Sequence, residues 1–130
     1  MSAAVRYYSR SGNTKALAEA IARGAGAPAI SIDAEDAALG SHVDVLFLGG
    51  ALYAYGLDKR LSAWIGTLKK ETVGKAVIFS SAALSRHALD LLRQALTAQG
   101  IPVEAETFFA RSKPGEKQLR DAEAFGEAMK

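Results

Sequence analysis

Apolar residues recur along the chain in two alternating patterns, short apolar runs and helical repeats. The runs predict strands at residues 3–8, 29–32, 43–48, 75–80 and 103–110. Between the later strands, apolar residues three and four positions apart predict helices. Leu61, Trp64, Ile65 and Leu68 are one such set, with Asp58 as the predicted cap. The alternation is typical of βαβ units, whose right-handed crossovers make a sheet parallel.

Helix boundaries are marked by polar caps and by glycine and proline. Ser85 is predicted to cap the helix that carries Leu89, Leu92 and Leu96, and Gly100 to end it. Pro114 suits the first turn of a last helix, whose predicted buried stripe is Leu119, Ala122, Phe125 and Met129. We therefore expect one α/β domain over residues 1–130. Its sheet has five parallel strands in the order 2-1-3-4-5, with helices on both faces.

The turn after the first strand is the most informative stretch. Residues 9–14, the first loop, read Ser-Arg-Ser-Gly-Asn-Thr and lead into a helix. The first amides of a helix lack partners and its dipole is positive there, so this end attracts anions. Gly12 leaves the backbone accessible, and Ser9, Ser11, Asn13 and Thr14 add short donors. The alternative is an ordinary turn in which Asn13 only caps the helix.

The glycine-rich nucleotide motifs are missing from this loop. The sequence contains neither Gly-x-x-x-x-Gly-Lys-Ser/Thr nor Gly-x-Gly-x-x-Gly. Many neutral donors suit a dianionic monophosphate that is held without metal. In the predicted topology, the ligand lies at the carboxyl ends of strands one and three, where the strand order switches. The first loop and residues 49–56, the second loop, follow those two strands.

The first loop resembles that of the flavodoxin family, whose Thr/Ser-x-Thr/Ser-Gly-x-Thr pattern grips the phosphate of FMN. The matching positions are Tyr7, Ser9, Gly12, Thr14, Ala18 and Ile21, whereas Arg6 replaces the usual apolar residue. The resemblance covers essentially the whole chain. It is to a short-chain flavodoxin, because the predicted last strand has no insertion.

The resemblance implies three FMN-binding loops. From the first it takes Ser9, Arg10, Ser11, Gly12, Asn13 and Thr14. From the second it takes Ala51, Leu52, Tyr53, Ala54 and Tyr55, with Tyr53 stacked on the flavin ring. The two tyrosines are also compatible with surface residues or a dimer contact. In the third loop, residues 80–85, Ser81 and Ala82 offer backbone amides, although the family's usual glycine, acidic residue and aromatic are missing.

Composition excludes several other classes of function. The sequence has no cysteine, which excludes disulfides, thiolate metal sites and cysteine nucleophiles. His42 and His87 lie too far apart in sequence to indicate a metal site, and the Gly-x-Ser-x-Gly elbow of serine hydrolases is missing. No apolar run is long enough for a bilayer and no signal peptide is evident, so we expect a cytoplasmic protein. The formal net charge is +2, without a basic stripe that would indicate nucleic-acid binding.

The leading hypothesis is an FMN-binding electron carrier that exchanges electrons with a reductase and an acceptor protein, as a monomer or weak homodimer. One alternative is a small FMN-dependent NAD(P)H:quinone or flavin reductase. Another is a flavodoxin-like module without flavin that acts through protein contacts. Arg6, in a strand predicted to be buried, needs a partner, and Asp121 or Glu123 of the last helix is a candidate.

Overall fold

A parallel sheet forms the centre of the computed structural model, which describes residues 2–53, 56–82 and 85–130. The strands, in chain order, are β1 Ala3–Tyr7, β2 Ala29–Ser31, β3 Val43–Gly50, β4 Leu52–Tyr53, β5 Gly56–Leu57, β6 Val73–Ala82 and β7 Phe108–Arg111. The helices are α1 Asn13–Ala25, α2 Lys59–Gly66, α3 His87–Ala98 and α4 Glu116–Met129.

The strand order is β2-β1-β3-β6-β7, and every pairing within this sheet is parallel. This confirms the predicted order 2-1-3-4-5, because β4 and β5 form a separate antiparallel pair that the sequence did not predict. The strand order switches between β1 and β3, where Val5 lies opposite Phe47. The carboxyl ends of these two strands flank the position at which folds of this topology bind ligands.

Alternate residues of each central strand face two separate cores. Val5, Phe47 and Val77 point to the side covered by α1 and α4. Leu46 and Ile78 point to the side covered by α2 and α3. Since helices cover both faces, these strands are almost continuously apolar. These apolar runs are the pattern from which the strands were predicted.

Two glycines let α1 and α4 approach each other closely. A Cβ atom at Gly24 would overlap the carbonyl oxygen of Glu123, and one at Gly126 would overlap that of Ile21. Each helix therefore presents its bare backbone to the other. This contact fixes α1, and with it the first loop, against the sheet.

The predicted cap of α2 and the predicted end of α3 are confirmed, whereas Ser85 precedes Arg86, the cap position of α3, and Pro114 precedes Gly115, the cap position of α4, and so lies outside that helix. An Asp58 carboxylate oxygen accepts a hydrogen bond from the Arg60 amide at 2.8 Å, and the Ser85 hydroxyl accepts one from the His87 amide at 3.0 Å. Gly100, with φ +77°, follows the end of α3. Of the described helices, none is both long and apolar enough to span a membrane.

Two predicted strand boundaries are wrong. Val103 makes only an isolated bridge with Ala76, and the last strand begins at Phe108. Three of the four intervening residues 104–107 are polar, and the Glu104 carboxylate lies 3.0 Å from the Lys75 ammonium. The preceding strand is longer than predicted and ends at Ala82, so residues 80–82 belong to β6 rather than to the third loop. Pairing with β7 extends β6, and no local pattern encodes that pairing.

The predicted partner of Arg6 is also wrong. The Arg6 side chain is buried, and its Nε donates to the carbonyl oxygen of Ala37 at 2.7 Å. By strand alternation it shares the face of Ala4 and Tyr8, opposite to α4. Asp121 and Glu123 instead pair with other side chains on the α1/α4 side.

Candidate functional site

A cavity of about 420 Å³ opens at the carboxyl ends of the sheet strands. It is large enough for a small-molecule ligand. Its lining residues come from all three predicted loops and from the end of β7: Ser11, Asn13, Ala51, Leu52, Tyr53, Ser81, Ala82, Ser85 and Ser112. The fold thus brings seven predicted site residues to one cavity.

The first loop is held open by a glycine and by its own hydroxyl groups. Gly12 has φ +92°, and a Cβ atom there would meet nothing within 4 Å. The Gly12 amide donates to the Ser9 hydroxyl oxygen at 3.0 Å, and the Asn13 amide donates to that of Ser11 at 3.4 Å. A hydroxyl that accepts a hydrogen bond still has its own proton to donate. The loop therefore presents O–H groups beside the start of α1.

Gly12, rather than Asn13, occupies the cap position of α1. No side chain makes a capping hydrogen bond there, and Asn13 is the first helical residue, on the cavity wall. Asn13 is therefore not the helix cap that the alternative interpretation of this loop assigned to it. The start of α1 has no acidic residue in its first turn. Its dipole thus leaves this corner of the cavity favourable to an anion.

Thr14 connects the first loop to β6. Its side-chain oxygen lies 2.8 Å from the Ser81 hydroxyl oxygen, and both residues are buried. If Ser81 donates this hydrogen bond, the Thr14 proton is available to a ligand. The contact holds the start of α1 next to the end of β6, which the sequence did not predict.

Tyr53 forms a wall between two cavities. It lines the cavity at the sheet edge and a second one of about 500 Å³, which Arg10, Asp58 and Lys59 also line. The guanidinium carbon of Arg10 lies 4.0 Å from the centre of the Tyr53 ring. The ring of Tyr8 meets Tyr53 edge-on, with 6.2 Å between ring centres.

Arg10 ties the first loop to the second. Its backbone amide donates to the Tyr53 hydroxyl oxygen at 2.9 Å, and its guanidinium pairs with the Asp58 carboxylate at 2.6 Å. The Asp58 side chain is only 4% exposed. The hydrogen bond from Arg10 is the main reason why the pKa of Asp58 lies below its usual value, and the pKa of Arg10 is raised in turn. This pair fixes the position of Tyr53.

The remaining predicted residues differ in placement. Ser9, Gly12 and Thr14 belong to the first loop but do not line the cavity, and Arg10 lines the neighbouring one. Ala54 and Tyr55 lie outside the described residues. Sequence reasoning missed Ser85 and Ser112 as cavity residues. The topological rule could have indicated Ser112, because it directly follows the last strand of the sheet.

A further cavity, of about 330 Å³, lies at the amino ends of the strands and is lined by Trp64 and Thr67 among others. We place the candidate site at the carboxyl edge because the helix amino ends and the hydroxyl groups converge there.

Over the described residues, no three His, Asp or Glu side chains are grouped closely enough to hold a metal ion.

No protein-family model matches the sequence, and no curated protein matches it either. Several solved structures, in contrast, match the fold of this chain. A flavodoxin from the domain Archaea is 26% identical and has a TM-score of 0.79, over 99% of this chain and 96% of its own. A short-chain flavodoxin associated with a non-canonical PDU bacterial microcompartment has a TM-score of 0.81 at 18% identity, over 99% of this chain and 97% of its own.

The same fold also occurs within larger proteins. A flavodiiron protein from Giardia intestinalis has a TM-score of 0.83 at 15% identity, and the match covers 98% of this chain but 34% of that protein. Identities this low show the fold alone. Together the comparisons confirm the flavodoxin-like fold and the predicted resemblance.

Proposed function

We propose that this flavodoxin-like protein binds FMN at the carboxyl edge of its sheet and carries electrons between a reductase and an acceptor protein. The observation that carries the proposal is the single cavity in which the first, second and third loops meet at the switch in strand order. The solved structures that share the fold over its whole length include flavodoxins, which supports a flavin as the ligand.

The first loop supplies donors that suit a phosphate dianion. In the proposed complex, the amides at the start of α1 and the hydroxyls of Ser9, Ser11 and Thr14 surround the phosphate. Gly12 leaves the approach to the backbone open. Hydrogen bonds to a charged acceptor are stronger than neutral ones, so several neutral donors hold a dianion firmly.

In the proposed complex, the second loop and the end of β6 supply the two walls of the ring site. Tyr53 presents one face to the Arg10 guanidinium, so we place the flavin ring on the other side of Tyr53, in the 420 Å³ cavity. Ala51, Leu52 and Ala82 make that cavity partly apolar, as a flat aromatic ring requires. Residues 81–82 are fixed by their pairing with β7, which makes this wall rigid.

When bound, FMN supplies the redox chemistry, and the chain positions it. The Arg10–Asp58 pair holds Tyr53 in place, and the Thr14–Ser81 contact holds the first loop against β6. These contacts join three loops into one preorganised site. A preorganised site loses little conformational freedom on binding, which favours affinity.

An NMR titration of the ¹⁵N-labelled chain with FMN tests the proposal. FMN fluorescence should be quenched as the ring stacks, and the amide signal of Gly12 should shift strongly. The amide of Gly66, at the far end of α2, is the internal control and should not move. If FMN is not taken up, or if its binding shifts Gly66 and spares Gly12, the proposed site is wrong.

A turnover assay distinguishes the proposed electron carrier from the alternative function, an NAD(P)H-dependent reductase. With a quinone present, the FMN-loaded chain alone should oxidise NADPH or NADH negligibly. Oxidation should become measurable when a separate reductase is added. Rapid oxidation by the chain alone would assign the reductase function instead.

A further inference from the structure

Exposed basic side chains surround the candidate site in the segments that lead from β1 to α1, into the first turn of α2, from β6 to α3 and from the end of β7 to α4. We call them the basic ring: Arg10, Lys59, Arg60, Arg86, Arg111 and Lys113. The carboxylates of the same segments are fewer. They are Asp58, which is buried against Arg10, Asp90, which lies 3.6 Å from His87, and Glu116, so three carboxylates stand against six cations. Around the part of the edge formed by β1, β3, β6 and β7, side-chain charge is therefore predominantly positive.

Helix ends add to the positive potential at this edge. The first turns of α1 and α2 have no acidic residue and instead contain Lys15, Lys59 and Arg60. A cation at this end of a helix opposes the dipole and stabilises the helix less than an acid would. Lys15, Lys59 and Arg60 therefore raise the electrostatic potential at this surface, although they stabilise their own helices less than acidic residues would.

The basic ring is bounded on one side by acidic residues. Asp33, Glu35 and Asp36 follow β2, and Asp33 lies 3.5 Å from Arg60. The edge thus changes from acidic beside β2 to basic around β3, β6 and β7. A charge gradient of this kind orients a partner as well as attracting it.

We propose that the basic ring is a docking surface for a redox partner protein whose own contact face is acidic. This inference rests on the proposed function, because it places the partner over the edge at which the flavin would be held. Opposite charges on two contact faces raise the rate of encounter and set the orientation in which electrons pass.

A nucleic acid is the less favoured partner. Single-stranded nucleic acids bind where exposed aromatic rings lie among the basic residues. Here the described aromatic rings next to the basic ring, Tyr53 and Phe109, are half-buried and do not project among the cations. Arg10 lies over Tyr53, and the guanidinium carbon of Arg86 lies 4.7 Å from the centre of the Phe109 ring. The cations also circle a cavity instead of forming a stripe.

The first experiment needs no flavin. The ¹⁵N-labelled apoprotein is titrated with hexaglutamate in low-salt buffer, and the amides of the basic ring should shift while those around Lys69 stay unchanged. Arg111→Glu/Lys113→Glu should abolish the shifts. Lys69→Glu/Lys70→Glu, the same charge change at the opposite edge, should preserve them. Equal effects of the two double variants, or shifts spread over the whole surface, would overturn the proposal.

The second experiment measures electron transfer from the FMN-loaded, reduced chain by stopped flow. Two ferricyanide ions take up one electron each from one two-electron-reduced FMN, whose protons pass to solvent, and hexaammineruthenium(III) is the cationic comparison. Arg111→Glu/Lys113→Glu should slow the reaction with ferricyanide by about tenfold at low salt, while Lys69→Glu/Lys70→Glu changes it little. Equal rates for wild type and both variants would contradict docking at the ring.

The two experiments separate the two proposals. If the chain takes up no FMN, the proposed function fails, and the hexaglutamate titration still decides whether the ring binds acidic chains. If FMN binds and the ring variants behave as wild type, only the docking surface fails. If oligothymidine shifts the ring amides at concentrations at which hexaglutamate does not, the surface binds nucleic acid and the docking proposal is wrong.

Discussion

At the residue scale, the buried Thr14 hydroxyl joins α1 to β6, and in the proposed complex it also donates to the phosphate. Thr14→Ala removes a donor to a dianion, a hydrogen bond worth about 1.5–3 kcal/mol. FMN affinity should therefore fall about tenfold to a hundredfold, while riboflavin affinity changes little. Fluorescence titration of both ligands checks this. Thr14→Ser keeps the hydroxyl and should bind both ligands as wild type does.

The same substitution should also affect stability. In Thr14→Ala, the buried Ser81 hydroxyl loses its partner at 2.8 Å, which should cost about 1–3 kcal/mol of unfolding free energy in urea. Unchanged stability in Thr14→Ala, or equal loss of FMN and riboflavin binding, would contradict the role given to Thr14.

Tyr53 should behave differently, because both flavins share the ring and only FMN has the phosphate. Tyr53→Ala removes one wall of the ring site, and both affinities should fall by similar factors, about tenfold. Tyr53→Phe keeps the ring and loses only the oxygen that accepts from the Arg10 amide, so it should bind nearly normally. Normal binding of both ligands by Tyr53→Ala would place the ring elsewhere in the cavity.

At the scale of the elements, Asp58 joins the first loop to α2, and it makes the unfolding free energy depend on pH. Its pKa in the folded chain is held below its usual value, chiefly by the hydrogen bond from Arg10. The unfolded pKa is about 3.9, so the ionised carboxylate stabilises the fold fully above that pH. This contribution is lost as the pH falls through the folded pKa.

The expected result is a difference between wild type and Asp58→Asn that depends on pH. Asparagine can still cap α2, so the variant isolates the charge. It should be less stable than wild type in urea at neutral pH, and the difference should narrow below about pH 4. Asp121→Asn, an exposed carboxylate on α4, controls for the loss of one charge. A difference that stays constant with pH would show that the ion pair with Arg10 contributes no stability.

The contact between α1 and α4 depends on bare backbone at two points. Gly24→Ala or Gly126→Ala would force a methyl group against a carbonyl oxygen of the other helix, which should cost about 1–3 kcal/mol or more. Gly66→Ala is the matched control. A Cβ atom there meets nothing within 4 Å, so this variant should gain up to about 1 kcal/mol in helix propensity. Urea denaturation measures all three, and equal stabilities would refute the close packing.

Local patterns predicted the elements that are buried on both faces, and tertiary pairing decided the rest. The runs that became β1, β3 and β6 are apolar because helices cover both sides. The end of β6 and the start of β7 depend on strand pairing, which alternation alone does not specify. The two-residue strands β4 and β5 are too short to leave a pattern.

The candidate site was predictable to the same degree. The first loop has a motif, and the topological rule brought the second and third loops to it. The Arg10–Asp58 pair joins residues 48 positions apart, and nothing in the sequence links them. Ser112, with φ +57°, lines the cavity without belonging to any motif.

At the scale of the whole molecule, one edge of the sheet combines the amino end of α1, a cavity of about 420 Å³ and a surrounding set of cations. The order β2-β1-β3-β6-β7 brings these features together, because all parallel strands end at that edge. We therefore claim that this edge binds a flavin through its phosphate as well as its ring.

The relative affinity of the wild-type chain for FMN and riboflavin tests that claim most directly. Two charge-assisted hydrogen bonds to the phosphate, at about 1.5 kcal/mol each, predict that FMN binds at least about a hundredfold more tightly. Fluorescence titration of both ligands under the same conditions gives the ratio. Equal affinities, or no binding of either ligand, would contradict the assignment of this edge as an FMN site.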